Sequence, residues 1–180
     1  MKAKTVLLIA LGLIVLAAII QFQVIPGIRS APFQPYVEGY LNVPGFSEDL
    51  ADRNGHDAYL RGKVIIVNVR QKVDSLHFKL TPELQASSPN EVVTVVWLHC
   101  WDRIEGFYQD DNGYRHGPGT SNRCDLKIID RSIPAVIAQK SFSGTAPPGV
   151  LYGSNSAAGT DPSGEVIGWL EKLPRKVSQP

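Results

Sequence analysis

The chain has 180 residues, and its first 25 or so carry too little charge to belong to a water-facing core; the remainder suffices for one ordinary domain. Charged residues make up 19%, against about 25% in a typical globular protein, while glycines and prolines number 16 and 13. That balance disfavours long surface helices, and a formal net charge of +1 with no basic run argues against nucleic acid as a partner.

Lys2 and Lys4 precede an uncharged run from Thr5 to Ile20. At about 1.5 Å per residue that run spans about 24 Å as a helix, short of a hydrocarbon core about 30 Å thick. Continuing through Gln21, Phe22, Gln23, Val24 and Ile25 supplies the missing length. Residues 1–25 therefore read as a transmembrane signal anchor, single-pass, with the lysines on the cytoplasmic side and the C-terminus outside. The alternative is a cleaved signal peptide and a secreted or periplasmic product. Val15 and Ala17 satisfy the small-residue rule for such a cut, although Ile19 and Ile20 would then begin the mature chain. Either reading puts the domain outside the cytoplasm.

Residues 26–59 are rich in Pro and Gly: Pro26, Gly27, Pro32, Pro35, Gly39, Pro44 and Gly45. Proline removes backbone donors and fixes φ, so an extended tether or edge strand is expected here, not a helix. Phe33, Tyr36, Tyr40 and Phe46 suggest that part of it lies against the domain or near headgroups. The polar stretch from Ser47 to Tyr59 accommodates one helical turn, ending near Asn54-Gly55.

A single β-rich domain is expected over 60–176. Lys63 to Arg70 is a β-branched run too short for a helix, and Leu76, Phe78 and Leu80 alternate with His77 and Lys79 as in a half-buried strand. Thr81-Pro82-Glu83 starts a short helical turn. Glu91 to Trp101 has two apolar faces, one with Val92, Thr94, Val96, Leu98 and Cys100, the other with Val93, Val95, Trp97, His99 and Trp101. That pattern predicts a central strand covered on both sides. Asp110-Asp111-Asn112-Gly113 signals a turn, and residues 109–122 are expected to protrude as a loop. A hairpin follows, Cys124 to Ile128 against Val136 to Phe142, turning at Asp130-Arg131-Ser132. Residues 143–164 form a long Gly/Ser/Pro/Ala stretch. Asp161 and Pro162 then start a helix whose apolar face is Val166, Ile167, Leu170 and Leu173, stopped by Pro174. The expected fold class is α+β: an N-terminal transmembrane helix, then a small antiparallel sheet with the C-terminal helix packed on one face.

Two cysteines, Cys100 and Cys124, flank one loop on predicted strands, and outside the cytoplasm they read most simply as a disulfide. In the chain-entropy picture it would contribute about 3.5 kcal/mol. A zinc site from His99, Cys100, His116 and Cys124 is disfavoured, because His99 and Cys100 would point to opposite strand faces. The acidic turn lacks the alternating ligands and closing Glu of a calcium loop. Ser154-Asn155-Ser156 is not framed as a nucleophile elbow, and the glycines of 144–164 do not form a phosphate loop. No cofactor or metal is implied. The aromatic group Trp97, Trp101, Phe107, Tyr108 and Tyr114 reads either as a second core layer or as a partner surface. In the second reading Trp101, Phe107, Tyr108 and Tyr114 are the candidates.

Cys124 with Ile128-Ile129-Asp130, then Phe142, Gly144, Pro147 and Pro148, and finally Gly164, Trp169-Leu170 and Leu173-Pro174-Arg175 carry a resemblance. Over residues 91–176 the chain resembles a group of small secreted or membrane-anchored bacterial proteins. The resemblance implies a single folded module and brings no activity with it. The expected function is a membrane-tethered extracytoplasmic binding module, non-enzymatic, with a protein or envelope partner. The alternative is an envelope-associated hydrolase with an active site near loops 109–122 and 143–164.

Overall fold

The computed structural model describes residues 25–47, 58–150 and 156–177. Residues 1–24 of the expected transmembrane segment and the polar stretch around Asn54-Gly55 lie outside them. Among the described residues no helix is long and apolar enough to cross a membrane. What they form is a small α+β fold.

The element order is α1 (Ile25–Ser30), a 3-10 helix (Ala31–Tyr36), α2 (Val37–Leu41), β1 (Leu60–Arg61) and β2 (Lys63–Asn68). Two further 3-10 turns, Ser75–Lys79 and Pro89–Glu91, lead to β3 (Val92–Gln109). After it come β4 (Arg115–Asp130), β5 (Ala135–Ser143), β6 (Ala157–Ala158), α3 (Ser163–Lys172) and β7 (Arg175–Lys176). The main sheet runs β2-β3-β4-β5, with β6 beside β4, and β1 pairs with β7 separately.

The sheet is mixed, which corrects the antiparallel expectation. β3–β4 and β4–β5 are antiparallel, but β2 runs parallel to β3, with Ile65 opposite Val95 and Val67 opposite Trp97. The reason lies in the segment expected to be the second strand. Asp74 accepts a hydrogen bond from the Leu76 N–H, which caps a 3-10 turn over Ser75–Lys79 in place of a strand. The turn buries Leu76, His77 and Leu80, and the chain crosses back to start β3 at the same end as β2. A crossover of this length suits a parallel pair, whereas a hairpin needs only a short turn.

Two core layers sandwich the sheet. One holds Val64, Ile66, Val96, Leu98, Leu126 and Ile128 against Leu76, Leu80, Leu84 and the α3 face of Val166 and Leu170. The α3 start follows the sequence signal: Asp161 accepts from the Ser163 N–H. The other layer packs Ile65, Val67, Val95, Ile129 and Val136 against Phe33, Val37, Tyr40 and Leu41. The tether reading therefore needs correction over 25–41, which is helical and packs four side chains into the core. Prolines at the first positions of a helix cost little, because the N–H groups there have no partner in any case.

The long loop expected at 109–122 is also corrected. Turn residues Asp110 to Gly113 are tight, with Asp110 accepting from the Asn112 and Tyr114 N–H groups and Gly113 at φ +79°. From Arg115 onward the chain is already in β4. β3 and β4 thus extend past the core as a two-stranded arm. The 143–164 stretch folds back onto it: Gly119 pairs with Ala157, and Thr145 and Thr160 each cap the other's backbone N–H. Gly144 is required at that crossing, since a Cβ there would lie 1.7 Å from the Thr160 carbonyl oxygen.

At the other end of β4, fully buried Asp130 accepts from the Tyr59 hydroxyl (2.8 Å), Arg61 Nε (2.9 Å) and Ser132. Burial alone would raise its pKa; the bonds from Ser132, Tyr59 and Arg61 outweigh that and hold it below the ordinary carboxylate range. Thr94, opposite Asp130 in the ladder, exchanges hydrogen bonds with the Arg61 backbone. The cluster therefore fastens β1 to the central pair. Removing one partner of a buried ion pair leaves the other uncompensated, so Asp130→Ala should cost about 3–5 kcal/mol in urea denaturation. The wild-type contribution should be complete above the unfolded carboxylate pKa of about 3.9 and fade as pH falls through the lower folded value. A loss under about 1 kcal/mol would mean that Asp130 is not the fastener described.

Candidate functional site

The β3–β4 arm begins where the core ends. Leu98 and Leu126 are buried, whereas β3 from Cys100 to Phe107 is exposed. At that boundary Cys100 and Cys124 stand directly opposite each other and form a disulfide, as expected from the sequence. With both thiols committed, the zinc alternative loses its sulfur ligands. Among the described residues no group of three His, Cys, Asp or Glu side chains could hold a metal.

Along one face of β3 the rings of Trp97, His99 and Trp101 follow one another, with centroids 5.9 and 4.8 Å apart, and Phe46 packs edge-on to Trp97 at 5.6 Å. This row results from the two-residue strand period, which sends alternate side chains to one face. Their cross-strand neighbours are Lys127, Asp125 and Arg123. Lys127 donates to the Phe46 carbonyl and Asp125 accepts from Ser141, so the row is closed at the Phe46 end. Towards the arm it opens onto Trp101.

The four singled-out aromatics occupy different parts of the arm. Trp101 ends the ring row at 36% exposure. Phe107 is 45% exposed, and the Arg115 guanidinium lies 3.4 Å above its ring. Tyr108 donates its hydroxyl to the Pro148 carbonyl, bracing the arm. Tyr114, 72% exposed, stands at the turn. Ile104, also exposed, joins them, though single-sequence reasoning passes over an isolated isoleucine. Between Trp101 and Arg123 the chain carries three arginines and no lysine. Glu105 accepts from Ser121 and lies 3.8 Å from both Arg103 and Arg123. Those contacts, the Ser121 bond first, keep its carboxyl below the usual range against the opposing effect of burial.

The two loops of the hydrolase alternative do meet, around a hollow of about 270 Å³ lined by Glu105, Phe107, Tyr108, Gly119 and Pro147–Gly149. Glu105, held ionised, is suited to keeping positive charge nearby and not to donating a proton.

A second concavity, of about 420 Å³, lies between the N-terminal helical segment and the crossover. Arg29, Pro32, Phe33, His77, Phe78, Gln85, Ala86 and Ser87 line it. His77 is 1% exposed; its Nε2 bonds the Ala86 carbonyl at 3.1 Å, which makes Nε2 the protonated nitrogen and Nδ1 a bare acceptor. Nδ1 has no partner. Burial drives the His77 pKa down to about 4, the Ala86 bond opposing it only in part. Sequence alternation suggests a solvent-facing histidine, and nothing local reveals otherwise.

The sign of the pH effect follows. Below about 6.5 the unfolded chain takes up a proton that the folded chain refuses until about 4, so acidification over that window should remove about 3 kcal/mol of stability. In His77→Gln, which retains a donor for Ala86, this component should vanish. Stability curves of the two proteins that stay parallel from pH 7 to 4 would contradict the burial of a neutral imidazole.

No protein-family model matches the chain, and comparison with curated proteins returns no match.

Proposed function

We propose that this chain is a membrane-tethered extracytoplasmic module that binds a protein partner through its β3–β4 arm, without chemistry of its own. The observation that carries the reading is the make-up of the arm. Exposed Trp101, Ile104, Phe107 and Tyr114, with Arg103, Arg115 and Arg123 and no lysine, are the residue types that anchor protein interfaces. The arm is also held in place before any partner arrives, by the disulfide, the Tyr108–Pro148 bond and the β6 pairing. Such preorganisation lowers the entropy cost of binding.

The compartment rests on two supports. Lys2 and Lys4 before the uncharged Thr5–Ile20 run favour an N-in, C-out anchor, with signal cleavage as the alternative. A structural disulfide suits an oxidising compartment. The hydrolase reading retains one favourable observation, the hollow joining the two loops; labelling of one residue by serine-directed probes would favour it.

The test is photo-crosslinking in cells with a photoreactive residue in place of Tyr114. A discrete crosslinked protein is expected, its yield falling about tenfold or more when Trp101→Ala and Phe107→Ala are combined. The stability of that double variant should change little, because both side chains lie outside the core. Capture of the same protein at undiminished yield would contradict the assignment.

A further inference from the structure

The arm leaves the concavity beneath the N-terminal helical segment unexplained, and its chemistry differs from the arm's. Its volume of about 420 Å³ is within the range that holds small ligands. Pro32, Phe33 and Phe78 supply apolar walls, and Phe33 and Phe78 both pack edge-on to the His77 ring, at 5.7 and 5.2 Å. At the rim stands exposed Arg29, which no carboxylate among the described residues pairs. Gln85 spends an amide N–H on the His77 carbonyl, and Ser87 uses its backbone N–H on Glu91. Ser87 lines the cleft as well.

One feature of this wall is costly unless something meets it. An acceptor buried without a donor is unfavourable relative to water, and Nδ1 of His77 has no donor among the described residues. Protonation cannot relieve it near neutrality, since burial keeps the ring neutral. A guanidinium beside apolar rings is, in turn, a ready partner for a planar carboxylate, which it binds through two parallel N–H bonds.

We propose that this cleft binds a small organic carboxylate with a flat apolar body. Arg29 pairs with the carboxylate, Pro32, Phe33 and Phe78 enclose the body, and a hydroxyl or N–H at its far end donates to Nδ1 of His77. Because Nδ1 is enclosed, the last contact requires the imidazole to tilt about its Nε2 bond to the Ala86 carbonyl. The bound species is neutralised at one end only, by a cation from the N-terminal segment. Ligand binding therefore adds a tie between that segment and the crossover, which already meet through Gln34 on the Gln71 carbonyl, Tyr40 on the Pro89 carbonyl and the packing of Phe33 on His77.

Equilibrium dialysis of the full chain against 4-hydroxyphenylacetate, phenylacetate and phenylacetamide tests this. The two acids should bind saturably, the hydroxylated one more tightly, and the amide at least about tenfold more weakly, the cost of losing a charge-assisted bond. Arg29→Gln, at an exposed position where folding is not at stake, should lower affinity for both acids by a similar factor and leave the amide unchanged. Trp101→Ala should alter none of these values, which separates the cleft from the arm. Absence of saturable binding by either acid below about 10 mM, where affinity falls to a few kcal/mol, would overturn the proposal. So would equal binding of acid and amide, or an Arg29→Gln protein that binds as well as wild type. Equal binding of the two acids would overturn the role given to Nδ1.

Discussion

The pairing of β3 with β4, locked where Cys100 faces Cys124, is the constraint on which the rest of the structure depends. On one side of that cross-link the two strands are the middle of a buried sheet, with β2 and β5 as outer neighbours and a core layer on each face. On the other side they are a solvent-exposed ribbon, which in isolation is marginally stable at best. The disulfide sits at the junction and transmits the register of the core into the arm. A one-residue slip would invert every side chain, moving Trp97, His99 and Trp101 to the face where Cys100 now lies.

From this follows a division of labour along one pair of strands. The Asp130 cluster and the two core layers stabilise the module at one end. At the other end, stability comes from local devices: the Thr145–Thr160 exchange, the close crossing at Gly144, and Tyr108 on Pro148. Those devices free the arm's own side chains from packing duties, so Phe107, Ile104 and Tyr114 can remain exposed at little cost in stability. The cleft at His77 is separate, built by the N-terminal segment that the second core layer recruits.

Much of this is legible in the sequence where a signal is local. The β-branched run of Val92–Val96 has no helical reading, the acidic Asn-Gly turn has one tight solution, and two cysteines on neighbouring strands have an obvious partner in each other. The parallel β2–β3 pair is not legible, because Leu76, Phe78 and Leu80 alternate as a strand would. One Asp74 side-chain bond and the tertiary burial of His77 tip the segment into a 3-10 turn. Similarly, Pro32 and Pro35 read as helix breakers, yet Phe33 and Val37 lie buried against the sheet, and packing decides in favour of a tight helix. The aromatic candidates are visible by type alone; their spread along an arm, and the burial of His77 beside Arg29, depend on contacts between segments far apart in the chain.

The most direct test of this account is intact mass of the protein extracted from membranes, alkylated before and after reduction. The Cys100–Cys124 disulfide and the proposed extracytoplasmic location together predict no alkylation of the native protein and two alkylations after reduction. Two thiols reacting without reduction would contradict the disulfide and the proposed compartment, leaving the arm without its cross-link.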